Sequence, residues 1–109
     1  MTINIPTNGF YYHYKHDASQ SFNNYAYEVI GVGLHSEGNH GEANPKDMLV
    51  VYRPLYEAFV FKNGKMFDIR PLEMFMEEVT KDGKNFPRFQ KITDPEICTK
   101  LEEIKGEMY

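Results

Sequence analysis

Residues 56–92 read YEAFVFKNGKMFDIRPLEMFMEEVTKDGKNFPRFQKI, and this stretch decides the fold. It carries two turn signals, Asn63-Gly64 and Asp82-Gly83, each set between runs of β-forming residues. A two-residue type I′ turn needs positive φ at both central positions, which Asn-Gly and Asp-Gly tolerate best. Two antiparallel hairpins are therefore expected. One pairs Tyr56–Lys62 with Lys65–Arg70; the other pairs a strand around Val79 with Phe86–Ile92. Between them Pro71 opens PLEMF, and proline suits the first turn of a helix, where its missing N–H costs nothing. One short helical turn is expected there. Pro87 implies an edge position for the last strand.

Working outward, Met48–Arg53 (MLVVYR) is a strand that Pro54 ends. Its unbroken apolar run predicts burial on both faces. Upstream, Tyr25–Leu34 (YAYEVIGVGL) is a strand in which Gly31 and Gly33 suggest a bulge or bend. Gly9 opens FYYHYKH, a run of β-forming aromatics. Residues 17–24 are polar and turn-like, and residues 35–47 form the longest loop. Downstream, Asp94-Pro95 is a helix start, an N-cap acceptor followed by proline. Ile97, Leu101, Ile104 and Met108 follow at helical spacing. A helix is expected over about 94–105, ended by Gly106. These elements predict a mainly β fold with a C-terminal α-helix: a small curled antiparallel sheet, or a partly closed SH3-like barrel. All 109 residues are expected to form one domain.

Order and residue type along the chain resemble the DUF1653 family (domain of unknown function 1653). The resemblance is carried by Gly9-Phe-Tyr-Tyr-His-Tyr-Lys15, Tyr27-Glu-Val-Ile-Gly-Val, His35-Ser-Glu37, Leu49-Val-Val-Tyr-Arg-Pro-Leu-Tyr56, Arg70-Pro-Leu-Glu-Met-Phe75 and Pro87-Arg-Phe89. It covers about residues 9–92. It implies a small bacterial or phage-associated protein with no assigned activity, so no catalytic residue carries over. Residues 17–24 and 38–46 look like insertions. Asp68 stands where the family often has an aromatic, and the terminal helix lies outside the family core.

Composition narrows the function. Net charge is −4, and residues 94–109 hold −3 of it. Without a Lys/Arg run, sequence-independent grip on a phosphate backbone is a poor fit. The single cysteine, Cys98, rules out an internal disulfide. No apolar run approaches the roughly 20 residues of a membrane span, and there is no signal-peptide pattern, so a cytoplasmic location is expected and no membrane partner. Eight Tyr and eight Phe exceed what a core of this size needs, so some rings belong to a surface or pocket.

Three constellations could carry chemistry. The only arginines are Arg53, Arg70 and Arg88, each beside a proline, two of them at expected strand ends. Guanidinium forks suit phosphate, carboxylate or a base edge, and Tyr11, Tyr12, Tyr14, Tyr52, Tyr56 and Phe89 could supply stacking faces. The alternative is that the arginines pair with Glu73, Glu77 or Glu37 and staple strand ends. Second, His35 and Glu37 at i, i+2 could share a face and a ligand, with His13 at the aromatic strand. His13 and His16 fall on opposite faces of a regular strand, and His40 and Glu42 lie in the loop, so a rigid zinc set is not assembled and no metal is expected. Third, Ser36 between His35 and Glu37 cannot form a triad with its strand neighbours, and acids near Cys98 disfavour a thiolate. No phosphate-binding glycine loop or dinucleotide fingerprint is present, and no cofactor is expected. The terminal helix stripe serves equally for packing on the sheet and for a dimer contact.

The sequence thus points to a binding module for a nucleotide, modified base or short single-stranded nucleic acid. Its expected ligand surface is Tyr12, His13, Tyr14, His35, Glu37, Tyr52, Arg53, Tyr56, Arg70 and Arg88. A protein-interaction domain is the alternative, and a small hydrolase-like enzyme using His35 and Glu37 the second alternative.

Overall fold

The computed structural model describes residues 4–37 and 44–109. His40 and Glu42 lie outside the described residues. Seven strands and three helices follow in chain order: β1 (Gly9–His13), β2 (Ala26–Leu34), β3 (Met48–Pro54), α1 (Phe59–Lys62), β4 (Asp68–Pro71), α2 (Leu72–Phe75), β5 (Glu78–Lys81), β6 (Lys84–Pro87), β7 (Phe89–Lys91) and α3 (Pro95–Met108). Five strands form one antiparallel sheet in the order β4-β3-β2-β1-β7, and β5-β6 form a separate hairpin. The fold is mainly β with a C-terminal helix, as expected. The sheet does not close, so of the two architectures anticipated the curled sheet holds and the barrel does not. β4 and β7 are its two edges.

Side chains alternate across the pleat and build two cores. On one face Tyr11, Val29, Val50, Tyr52 and Phe89 pack under Leu72 and Phe75 of α2. Phe75 and Phe89 stack with ring centroids 4.2 Å apart. On the other face Phe10, Ala26, Leu55 and Ile92 pack against Leu101 of α3. Fully burying one such aliphatic side chain contributes roughly 1.5–3 kcal/mol. The register of β2 slips between Val29 and Gly31, so the bulge expected near the glycines is there.

Local chemistry explains where expectation and structure part. At Asp82-Gly83 both residues have positive φ, 53° and 76°, and the turn joins β5 to β6 with Val79 opposite Phe86. At Asn63-Gly64 no hairpin forms. Phe59–Lys62 is a helical turn, and Asn63 caps it: its backbone N–H and its side-chain amide both donate to the Phe59 carbonyl. Gly64 follows with φ 112°, in the glycine-favoured region just past a helix end. Of the expected second strand, Lys65–Arg70, only Asp68–Arg70 pairs; the observed strand adds Pro71 and lies against Leu49–Tyr52.

The expected strand Phe86–Ile92 is also cut, at Arg88, into strands of different sheets; the Arg88 N–H donates to the Glu77 carbonyl, and its own carbonyl accepts from Tyr14. β3 is not buried on both faces. Val50 and Tyr52 are buried while Leu49, Val51 and Arg53 are half-buried, because α3 covers only part of that side. Gly106 does not end α3, which runs to Met108 and is anchored when the Tyr109 hydroxyl donates to the Pro54 carbonyl at 2.7 Å. The cap is as expected, with Asp94 accepting from the N–H groups of Glu96 and Ile97. No helix among the described residues is long and apolar enough to cross a membrane.

Candidate functional site

The structure divides the ten residues expected at the site. Arg53 stands opposite Glu28 on the α3 side of the sheet, 3.0 Å from its carboxylate, with its guanidinium 4.0 Å from the Tyr109 ring centroid. Glu28 is buried and also accepts from Lys105 of α3 at 2.8 Å. Arg53 therefore ties the sheet to α3. His35 and Glu37 lie exposed beyond the end of β2, and the Nδ1 of His35 accepts from the Glu37 N–H. That end is opposite the Tyr25–Ala26 end, where the remaining candidates gather.

Most of those candidates share the α2 side of the sheet; Tyr12 instead packs against the α3-side core. Arg70 lies opposite Val50, donates from Nε to the Tyr52 hydroxyl at 3.1 Å, and stands over the Phe89 ring. Arg88 pairs with Glu77 at 2.6 Å, and its Nε is buried with no acceptor among the described residues. The hydroxyls of Tyr27 and Tyr56 hydrogen-bond to each other. His13 is in ring contact with Tyr14, Tyr25 and Phe89. Burial, then the positive charges of Arg70, Lys15 and Arg88, push its pKa down to about 4. His13 is thus neutral at pH 7 and reports a positive local field.

Beside this wall opens a cleft of about 480 Å³, between the end of β1 and the β5–β6 hairpin. A volume of roughly 300–1,000 Å³ suits a small-molecule ligand. Tyr12, Tyr14 and His16 line one side, and Lys81, Asp82, Lys84 and Phe86 the other, with His13 at the boundary. His16 stacks on Tyr12, centroids 3.6 Å apart and planes within 13°. The ring pair is held: the Tyr12 hydroxyl donates to the Phe22 carbonyl, and the His16 Nδ1 bonds the Asn24 carbonyl. Phe86 is 40% exposed. Lys81 and Lys84 make no ion pair with any described residue. The chemistry on offer is stacking faces beside uncommitted positive charge.

Sequence reasoning did not find Lys81, Lys84 and Phe86. The Asp82-Gly83 signal announces their hairpin, but nothing local states which strand it folds against. Tyr25 was also missed, and its φ of 54° is a rare conformation for a bulky residue. His13 and His16 each bond a backbone group through Nδ1. Among the described residues no group of three or more His, Cys, Asp or Glu could hold a metal ion.

Fold and site define a small open antiparallel β-domain with an aromatic and basic cleft at one end of its sheet. The chain belongs to the DUF1653 family, described as protein of unknown function, which it matches over residues 9–91. It is similar to the crystal structure of a DUF1653 protein from Bordetella bronchiseptica, with 26% identity and a TM-score of 0.52. That likeness covers 79% of this chain and 86% of the other. No curated protein matches the chain.

Proposed function

We propose that this protein is a binding module for a nucleotide or short single-stranded nucleic acid, taken up in the cleft between β1 and the β5–β6 hairpin. One observation carries the reading: the half-buried rings of Tyr12 and Tyr14 and the exposed ring of Phe86 line one cleft with Lys81 and Lys84, which form no ion pair with a described residue although Asp82 lies between them. Rings give sequence-tolerant stacking, and cations beside them hold phosphate. Burial is the main cause of the depressed proton affinity of His13; the charges of Arg70, Lys15 and Arg88 add to it, and those cations favour an anionic ligand. Arg70 and Arg88 sit at the edge of this surface. Arg53 serves stability on the opposite face.

Calorimetric titration with mononucleotides and short single-stranded oligonucleotides tests the reading. Phe86→Ala should weaken binding at least fivefold, given about 1–3 kcal/mol per stacked base. The double charge reversal Lys81→Glu with Lys84→Glu should abolish it. Arg53→Ala should lower the melting temperature and leave affinity unchanged. Wild-type affinity in both cleft variants would end the proposal.

A protein partner is the second reading, favoured by one observation. Phe59, Phe67 and Ile69, at 74%, 48% and 62% exposure, are large apolar side chains on or near the open β4 edge. A stoichiometric, nuclease-resistant partner lost on Ile69→Lys would replace the nucleotide reading.

A further inference from the structure

We infer that the carboxylate of Asp68 reads a nucleobase through two adjacent N–H donors, the edge that guanine presents. The inference rests on the nucleotide-binding reading above and extends it to base identity.

Asp68 and Arg70 are i, i+2 on β4 and point to the α2 side of the sheet. Asp68 stands opposite Tyr52 in the strand register. The tyrosine hydroxyls around it are already committed. Those of Tyr27 and Tyr56 bond each other, and that of Tyr52 accepts from Arg70. No hydrogen bond or ion pair reaches the Asp68 carboxylate from any described residue, although its neighbour Arg70 is a guanidinium. Burial raises its pKa more than Arg70 lowers it, which fits a carboxylate short of donors. A half-buried carboxylate with both oxygens open is an acceptor pair awaiting a donor pair.

The surroundings choose among the donors. An ammonium or guanidinium ligand would have to sit beside Arg70, in the field that already drives the proton off His13. A neutral donor edge avoids that repulsion. Guanine offers two parallel N–H groups, N1–H and N2–H, matched to the two carboxylate oxygens, with O6 as an acceptor for a nearby cation such as Arg70. Adenine presents an acceptor at N1 and opposes the carboxylate. Tyr25 and Tyr56, with centroids 5.8 Å apart, supply ring faces beside this position. Asp68 does not itself line the cleft; the Tyr25 ring touches His13, which does, so a nucleotide with its phosphate in the cleft would reach Asp68 along these two rings.

The test titrates the full chain with GMP, IMP and AMP. IMP keeps N1–H and lacks the 2-amino group. GMP is expected to bind at least about fivefold tighter than IMP, and IMP tighter than AMP, in keeping with bidentate base contacts. Asp68→Asn, checked for fold by circular dichroism, is expected to bind all three alike, because an amide cannot accept from both donors. Equal wild-type affinities for the three nucleotides overturn the inference and leave the binding reading standing. A ranking that persists in a folded Asp68→Asn protein does the same. Failure of all three to bind overturns both. The wild-type ranking decides the matter alone if the variant does not fold.

Discussion

His13 is a titratable residue whose environment departs far from water. Its folded-state pKa of about 4 lies below the usual 6.5 because burial and three cations disfavour the imidazolium. Between those values the unfolded chain binds a proton that the folded chain refuses. Stability is therefore full above pH 6.5 and falls as pH drops toward 4. The whole shift would be worth about 3 kcal/mol, and partial exposure screens it to roughly 1–2 kcal/mol. Urea denaturation from pH 7 to pH 4 should show this slope, and His13→Asn should lose that part of it. An unchanged slope in the variant would assign the acid sensitivity to other groups. A bound phosphate beside His13 should act oppositely and raise its pKa, because it adds the negative charge the site lacks.

The β5–β6 hairpin is the element on which the proposed function turns, and a single turn sets its geometry. Gly83 has φ 76°, where a side chain is strained even though a Cβ would meet nothing within 4 Å. Gly83→Ala should therefore cost about 1 kcal/mol through the backbone alone. It should weaken nucleotide binding further than it weakens the global fold, because Lys81, Lys84 and Phe86 all ride on this hairpin. Measuring melting temperature and affinity on one sample separates the two effects; equal losses would mean that the hairpin has no private role.

The same element shows how far the sequence could be read. Asp82-Gly83 and Asp94-Pro95 are local signals whose meaning is complete within a few residues, and both structures formed as expected. Asn63-Gly64 is equally local but ambiguous, since the same pair closes a helix as readily as a hairpin. Apolar neighbours decided it, with Phe61 edge-on to the Tyr109 ring at the far end of the chain. Arg53, Arg70 and Arg88 looked equivalent in sequence. Strand register sends Arg53 to the face opposite Arg70, and register is set by long-range pairing that no local motif records.

At the scale of the whole molecule the sheet separates two tasks. One face carries stability: Glu28 joins Arg53 and Lys105, and α3 seals Ala26, Leu55 and Ile92. That helix lies outside the residues that match the family. The other face adds a second core, and its end carries the proposed recognition surface, with Arg70, Arg88, Lys81 and Lys84 near rings while the net charge of the chain is −4. On the proposed reading, a positive end on an acidic body would orient an anionic ligand toward the cleft. The most direct test is an amide NMR titration of the labelled protein with short single-stranded oligonucleotides. The account predicts shifts clustered at Tyr12, Tyr14, His16, Lys81, Lys84 and Phe86, spreading toward Tyr25 and Asp68. A well-folded spectrum with no shifts, or with shifts confined to Arg53 and α3, would contradict it.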